Sequence, residues 1–245
     1  MTLVVCAALI ALLHGILSFL PVSLTPRWYD IAVGGTIYLK TSIDFAILMG
    51  RLMATYPGWR GRVAIEIGTA VGNAAGTIAI IILWVFFKDI HILLALMVLI
   101  ASLVLLELAH GGLEHFANWK VATYLHRFLD PVVRFLPNVG VNLGGKAGLS
   151  WWGLLTFSIT VPFILGLDDF AGYVPLFSIV NVYGFAIGVI AAHTVLNIAL
   201  FLSPSRTIAA VKNPYVSLAG TLAFIGLAIY GLFEAGKILF MILHV

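Results

Sequence analysis

Apolar runs of roughly 20 residues recur along the whole chain, and each is long enough to cross the hydrocarbon core of a bilayer as a helix. Hydrophobic residues make up 62% of the 245 residues and charged residues only 9%, whereas soluble domains contain about 25% charged residues. No polar stretch is long enough to build a separate soluble core. The sequence therefore predicts an all-α integral membrane protein with a single transmembrane domain over residues 1–245.

Hydropathy divides this domain into about seven predicted transmembrane helices. The predicted spans lie at about residues 3–22, 31–55, 63–87, 92–118, 154–179, 184–203 and 215–243. Basic residues concentrate in the connections 51–62, 119–150 and 204–213, which lie on one side of such a chain. Because basic loops stay in the cytoplasm, we expect a cytoplasmic N-terminus, an outer C-terminus and a bacterial-type inner (plasma) membrane. The alternating basic and apolar residues of 119–150 also predict a short helix in the membrane interface.

The chain resembles itself, because three sets of landmarks recur in the same order in its two halves. The segment "ALLHGILSFL" aligns without gaps with "ELAHGGLEHF", and "SIDFAIL" matches "GLDDFAGYVPL". The matching pairs are His14 with His110, Asp44 with Asp169, and Asn73 with Asn197. Each half holds three spans, and an odd number of crossings gives the two halves opposite orientations. The sequence predicts two inverted repeats, at about residues 1–90 and 91–203, and an extra helix at about 214–245.

Several ionisable and amide side chains fall inside the predicted spans, where a charge at the bilayer centre costs about 2.5–3.5 kcal/mol on insertion scales. Such residues normally face the protein interior or a water-filled cavity, and they mark ion pathways. The side chains that we expect to bind a metal ion are Asp44, Asp168, Asp169, His14, His110, His193, Asn73, Asn197 and Glu107. An alternative for Asp168 and Asp169 is that the fifth span ends at about residue 167 and that both acids face the outer water.

The expected metal site assigns a different role to each residue type. The three aspartates bind the cation near the midplane, the two repeat-related histidines coordinate it or relay protons, and His193 with the two asparagines completes the lining. Glu107, His110 and Glu114 share one helical face because they are spaced i, i+3 and i+7. That face could coordinate a cation, or Glu114 could simply be solvated at the end of its span.

This ligand set predicts the chemistry of the cargo. Carboxylate, imidazole and amide groups together favour a divalent ion such as manganese, zinc or cadmium. The same groups must lose protons before they bind a metal, so metal release and proton uptake are coupled. We therefore expect a proton-coupled secondary active transporter, with no enzymatic activity and no permanently bound cofactor. Its expected partners are the lipid bilayer, the divalent cation and protons; a homo-oligomer is open, and no nucleic acid is expected.

The two aspartate motifs, "TSIDFAIL" and "LGLDDFAGY", resemble those of the lysine-exporter superfamily. Their place in the second helix of each three-helix half is similar to that in its tellurium-resistance-type and cadmium-resistance-type cation exporters. The resemblance covers about residues 1–203. It implies that the cargo is a divalent metal ion and that the ion moves outward.

Two alternatives use the same residues differently. His14, His110 or His193 could be axial ligands in a haem-binding membrane subunit of an electron-transfer complex. Histidine and aspartate ligands with an open position could also activate water in a membrane-embedded metallohydrolase. The chain contains no compact H-E-x-x-H motif for the hydrolase, and haem binding does not explain the aspartates.

Overall fold

The computed structural model describes the backbone of residues 1–114, 149–178, 180–211 and 213–244. Some helical side chains lie outside this description, among them those of Asp44 and residues 164–172. These backbone ranges contain α-helices and one short 3₁₀ helix, Val174–Ser178, and no strand. The α-helices are α1 (Thr2–Leu17), α2 (Trp28–Thr41), α3 (Ile43–Thr55), α4 (Trp59–Phe87), α5 (His91–Glu114), α6 (Trp151–Tyr173), α7 (Val182–Leu202), α8 (Pro204–Val211) and α9 (Pro214–Leu243).

Three stretches of these helices are long and apolar enough to cross a membrane, namely Trp59–Phe87, Val182–Leu202 and Gly220–Leu243. Shorter apolar stretches are Thr2–Leu17, Phe45–Thr55, His91–Glu107 and Trp151–Phe163. The prediction of an all-helical protein compatible with a membrane is thus confirmed. Where the structure describes both backbone and side chains, three stretches rather than the seven predicted spans meet the length and hydropathy requirements. The predicted interfacial helix within 119–150 lies almost entirely outside the described residues.

The predicted second span is divided at Ser42, which ends α2 and begins α3. Its backbone angles, φ −84° and ψ 22°, depart from the α-helical values near −63° and −42°. The Tyr38 carbonyl accepts hydrogen bonds from both the Thr41 hydroxyl (3.1 Å) and the Ser42 amide (3.0 Å), and the Ser42 carbonyl accepts from the Ala46 amide (2.9 Å). The break is therefore confined to the backbone angles of one residue. The break places Asp44 at the second residue of α3.

Three helix pairs form the most extensive contacts of the fold: α4 with α6, α2 with α7, and α5 with α9. In the first two pairs, glycines let the helix backbones approach closely. A Cβ added at Gly72 of α4 would collide with the carbonyl group of Ile159 on α6, and one at Gly188 of α7 would lie 2.8 Å from the amide nitrogen of Gly35 on α2. These four helices share one core with α1 and α3, whereas α5 and α9 bury a separate apolar cluster.

The helix ends meet in two groups that differ in charge. At one end of the fold, named the basic end here, α3 and α7 finish while α4 and α6 begin. The Leu149 amide donates to the Tyr56 hydroxyl (2.9 Å) and Arg62 Nη1 donates to the Phe201 carbonyl (2.7 Å). The described segments 51–62, 149–155 and 200–211 at this end contain no acidic residue and four arginines, which are Arg51, Arg60, Arg62 and Arg206. The opposite end carries Arg27, Asp30, Lys88 and Asp89, and the last turns of α6 bring the backbones of Asp168 and Asp169 toward it.

Asp30 joins α2 to α7 at the opposite end, just before the predicted second span. Its buried carboxylate accepts hydrogen bonds from the Arg27 guanidinium (2.8 and 3.0 Å), from the Arg27 amide (3.0 Å) and from the Asn181 amide (3.0 Å). The hydrogen bond from the Arg27 side chain is the main reason why the pKa of Asp30 lies below its usual range. Burial raises this pKa, and the hydrogen bonds from the Asn181 and Arg27 amides lower it further. The same pair raises the pKa of Arg27.

Acid is expected to destabilise the fold through Asp30. Because its folded pKa is lowered, its stabilisation is complete above the unfolded pKa of about 3.9 and is lost as the pH falls through the folded value. Asp30→Asn should lower the unfolding free energy at neutral pH by about 1–3 kcal/mol and weaken its dependence on acid pH, measured by thermal unfolding in detergent. Asp89→Asn, at an exposed position, should behave as native. Equal acid sensitivity of native protein and Asp30→Asn would contradict this assignment.

Candidate functional site

A chain of buried polar side chains links α2, α7 and α4 inside the main core. Tyr38 Oη lies 2.5 Å from His193 Nδ1, and His193 Nε2 lies 2.9 Å from Asn197 Nδ2. Asn197 Nδ2 also donates to Thr69 Oγ1 (3.0 Å) and to the backbone carbonyl of Glu66 (3.4 Å). All five residues are buried, and together they are named the polar cluster below.

Helical spacing brings these groups to facing surfaces. His193 and Asn197 are separated by four residues on α7, and Glu66 and Thr69 by three on α4, so each pair lies on one face of its helix. Tyr38 lies on α2 one turn before the break at Ser42. A buried polar group without a hydrogen bond costs about 1–3 kcal/mol, which explains why these side chains face one another rather than the apolar surroundings.

The orientation of the Asn197 amide assigns the tautomer of His193, with the proton on Nδ1. An amide nitrogen only donates, so Asn197 makes Nε2 of the imidazole an acceptor, and the Nδ1–H then donates to Tyr38. The imidazole also packs against the rings of Tyr38 and Phe45, at centroid distances of 5.5 and 5.4 Å. A metal ion or a haem iron bound to His193 would therefore have to replace one of these two hydrogen bonds.

The polar face of α4 continues beyond the cluster. Glu66, Thr69, Asn73 and Thr77 are spaced by three or four residues and all are buried, so they form one stripe about 16 Å long. Asn73 Nδ2 makes no hydrogen bond to any residue that the structure describes, while the Asn73 carbonyl accepts from the Thr77 hydroxyl (2.9 Å). The side-chain amide of Asn73 therefore faces the interior and can donate a hydrogen bond to water or to a ligand.

Glu66 brings a carboxylate to the edge of the polar cluster. Its side chain accepts a hydrogen bond from the hydroxyl of Thr2 on α1, and only 3% of the residue is exposed. The ion pairs seen among the described residues are Arg27 with Asp30 and Lys237 with Glu234, so none of them involves Glu66. A carboxylate buried in an apolar membrane helix is costly, which makes Glu66 a candidate functional residue.

The predicted aspartate ligands can be placed only by their backbones. Asp44 precedes Phe45, whose ring contacts His193, so the backbone of Asp44 lies beside the polar cluster. Asp168 and Asp169 belong to the last turns of α6. The side chains of all three aspartates lie outside the described residues, and their role as ligands stays a prediction.

The other predicted ligands lie on different elements. His14 is exposed on α1, and its Nδ1 lies 3.1 Å from the hydroxyl of Tyr183. Tyr183 is ten residues before His193 on α7, which is a separation of about 15 Å along the helix. His110 is buried and Glu107 is half-buried on α5, which packs mainly against α9. The structure brings together His193 and Asn197, with Asn73 further along the stripe on α4, and it does not place His14 in this cluster.

Side chains that could hold a metal are therefore of mixed type. Among the side chains that the structure describes, no three histidine, cysteine, aspartate or glutamate groups are close enough to bind one ion. A cation at the polar cluster would be bound by the imidazole of His193 and by amide and hydroxyl oxygens. Glu66 is the described carboxylate on the same face of α4 as Thr69.

Sequence reasoning did not identify Tyr38 and Thr69 as site residues and did not include Glu66 among the ligands. Two signals could have found them. Glu66 is an acid within a predicted span, which is costly unless the acid faces the interior. Thr69 follows it at helical spacing toward Asn73, so the periodicity of polar residues on α4 indicates a buried polar face. Tyr38 carries no comparable signal, because tyrosine is common in membrane helices.

Tyr38→Phe is expected to destabilise the protein by about 1–3 kcal/mol, because the buried Nδ1–H of His193 loses its acceptor. Denaturant unfolding in detergent measures this change. Tyr230→Phe on α9, at a position only partly buried, is the matched control and should cost less. Equal losses in the two variants would show that the hydroxyl of Tyr38 does not stabilise His193.

Comparison with known proteins adds no assignment to this site. No protein-family model matches the chain, and no curated protein or solved structure is significantly similar to it. The resemblance of the two aspartate motifs to the lysine-exporter superfamily stays a prediction. The function must therefore be inferred from the polar cluster and its surroundings.

Proposed function

We propose that the chain is a secondary active transporter, which binds a divalent cation at the polar cluster and exchanges it for protons. The observation that carries this proposal is the break between α2 and α3 beside the buried His193. Substrate sites of secondary transporters are typically formed by discontinuous helices, whose unwound backbone lines a protected cavity. A helix that served only as a membrane anchor would need no such break.

The depth of the polar cluster suits a site near the membrane midplane. From His193 to the end of α7 at Leu202 the helix rises about 14 Å, which is about half the 30 Å thickness of the hydrocarbon core. From Ser42, the 13 residues of α3 rise about 20 Å to the same basic end. A cation at this depth could be reached from either side in turn, as alternating access requires.

We propose seven crossings, with α2 and α3 forming one discontinuous crossing and the basic end in the cytoplasm. The packing of the helices supports two inverted repeats, α1–α4 and α5–α7. An exchange of the two repeats maps α4 onto α7 and α6 onto α2. It therefore maps the contact between α4 and α6 onto the contact between α7 and α2, and both contacts are among the most extensive in the fold. In this scheme α9 is the extra helix, and it packs on α5.

The ligands available at the polar cluster favour manganese, zinc or cadmium as cargo. His193 offers an imidazole nitrogen, and Asn197 and Asn73 offer amide oxygens. The carboxylates of Asp44 and Glu66 would offset the positive charge. Ions of this class accept nitrogen and oxygen ligands together, whereas calcium and magnesium prefer oxygen alone. Since the cation would have to displace hydrogen bonds of His193, we expect binding weak enough to allow release.

Proton exchange follows from the same ligands. Carboxylates must be ionised and imidazole neutral to bind a metal, so the empty site takes up protons when the cation leaves. The resemblance to cation exporters implies that the cation moves outward and that protons move inward. The proton gradient would then drive export.

Cation-driven proton flux in proteoliposomes tests this function. Purified protein is reconstituted with a trapped pH dye, and manganese, zinc, cadmium and calcium gradients are applied to native protein and to Asp44→Asn. We expect flux with at least one transition-metal ion and a loss of that flux in Asp44→Asn. Asp89→Asn, at an exposed site in the α4–α5 connection, is the control and should retain it.

Two results would contradict the proposal. One is the absence of flux with any of the four ions in liposomes that are shown to be tight and to contain folded protein. The other is equal flux in native protein and Asp44→Asn, since the carboxylate beside the helix break would then have no part in transport.

A further inference from the structure

The basic end contains a groove that the transport proposal does not use. It lies between the α3–α4 connection and the start of α6 and has a volume of about 590 Å³. We name it the basic groove. The residues that line it are Tyr56, Arg60, Gly61, Leu149, Trp151 and Leu154. This volume is within the range of about 300–1,000 Å³ that is typical of small-molecule sites.

Hydrogen bonds fix the two walls of the basic groove. The Leu149 amide donates to the Tyr56 hydroxyl (2.9 Å), and the Trp151 indole Nε1 donates to the Arg60 carbonyl oxygen (3.1 Å). Leu154 is buried in the main core and forms an apolar base. The groove is therefore held open by contacts between two elements that are distant in sequence.

Arg60 is the charged residue of this lining. Its side chain is exposed, and it forms no ion pair with a residue in the described part of the chain. The described segments 51–62 and 149–154, which line or flank the groove, contain no acid. An arginine without a carboxylate partner in an apolar groove matches a phosphate group, which its planar guanidinium can bind with two hydrogen bonds.

Exposed tryptophans place the basic groove at the level of the lipid headgroups. Trp59 and Trp152 are 66% and 71% exposed and flank the groove residues in sequence. Trp152 stacks edge-on against Trp151, with a centroid distance of 4.7 Å. Tryptophan concentrates at membrane interfaces because its ring is apolar while its N–H is polar.

We propose that the basic groove binds the headgroup of an anionic phospholipid, with Arg60 contacting the phosphate. Basic pockets between membrane helices bind such headgroups through the same combination of charge and depth. The apolar walls from Leu154 and Trp151 would contact the glycerol backbone and the start of the acyl chains. Binding at this site would fasten the start of α6 to the α3–α4 connection.

Melting temperatures in lipid nanodiscs test this site. Native protein, Arg60→Gln and Arg60→Lys are compared in phosphatidylcholine discs with and without phosphatidylglycerol, and lipids that remain bound are counted by native mass spectrometry. We expect phosphatidylglycerol to stabilise native protein and to bind about fivefold more weakly to Arg60→Gln. Arg60→Lys should lie between, because it keeps the charge and loses the planar fork. Arg51→Gln, outside the groove at the same end, should behave as native.

Three outcomes would overturn the proposal. The first is equal stabilisation of native protein and Arg60→Gln by phosphatidylglycerol, which would leave the groove without a role. The second is full stabilisation by soluble glycerol phosphate added to phosphatidylcholine discs, which would indicate a free phosphate ligand. The third is an equal fall in the melting temperature of Arg60→Gln in both kinds of disc, which would assign Arg60 to a contact within the chain.

Discussion

Valine at Gly188 is expected to disrupt the packing of α2 on α7 and to lower the unfolding free energy by about 4 kcal/mol or more. An added Cβ would collide with the carbonyl group of Ile31 and would lie 2.8 Å from the amide nitrogen of Gly35. Both contacts involve backbone atoms, so no side-chain rotation can relieve them. The helices would have to separate, and this would also displace Tyr38 from His193.

The effect can be measured by thermal unfolding in detergent and by the yield of monodisperse protein. Gly226→Val on α9 is the matched control, because an added Cβ there meets no atom within 4 Å. That variant should change the unfolding free energy by no more than about 0.5 kcal/mol. Equal stability of the Gly188 and Gly226 variants would show that α2 and α7 are not in close contact.

Phenylalanine at His193 is expected to reduce cation-driven proton flux by a factor of about 100. The substitution keeps an aromatic ring against Phe45 and removes both imidazole nitrogens, which contact Tyr38 and Asn197. A folding defect has to be separated from a transport defect. Tyr38 and Asn197 each lose one hydrogen bond to His193, and each loss lowers the unfolding free energy by about 1–3 kcal/mol. Flux is therefore normalised to the folded protein recovered from the liposomes.

His14→Phe provides the contrast, because it makes the same substitution on the exposed face of α1. Sequence reasoning assigns His14 to the metal site, whereas the polar cluster does not include it. We expect His14→Phe to retain most of the flux. Loss of flux in His14→Phe together with full flux in His193→Phe would contradict the polar cluster and would favour the repeat-related histidines as the transport site.

Hydropathy could predict the helical class, because the apolar runs match the length of a membrane span. It could not predict the break at Ser42, since no proline or glycine lies beside it and the departure from helical geometry is confined to the backbone angles of that one residue. Pro162, by contrast, removes a backbone hydrogen bond and predicts a kink, yet α6 continues through it from Trp151 to Tyr173. The effect of a single residue on a membrane helix depends on its neighbours, which the sequence does not show.

The candidate site was predicted only in part, for a different reason. His193 and Asn197 were expected to share a site with Asn73, and the structure brings the first two into contact. The match between His14 and His110 came from aligning the two halves, and such a match indicates equivalent positions in a repeat rather than contact. The pairing of Tyr38 with His193 depends on how closely α2 approaches α7 at their glycines, which is a property of the packing.

Cation binding to the purified protein tests the central claim most directly. Isothermal titration of manganese, zinc and cadmium into detergent-solubilised native protein, Asp44→Asn and Asp89→Asn separates binding from transport. We predict one saturable site for at least one of these ions, weakened about 100-fold or more in Asp44→Asn and unchanged in Asp89→Asn. Folded native protein that binds none of the three ions, or an Asp44→Asn variant that binds as tightly as native protein, would contradict a cation site at the break between α2 and α3.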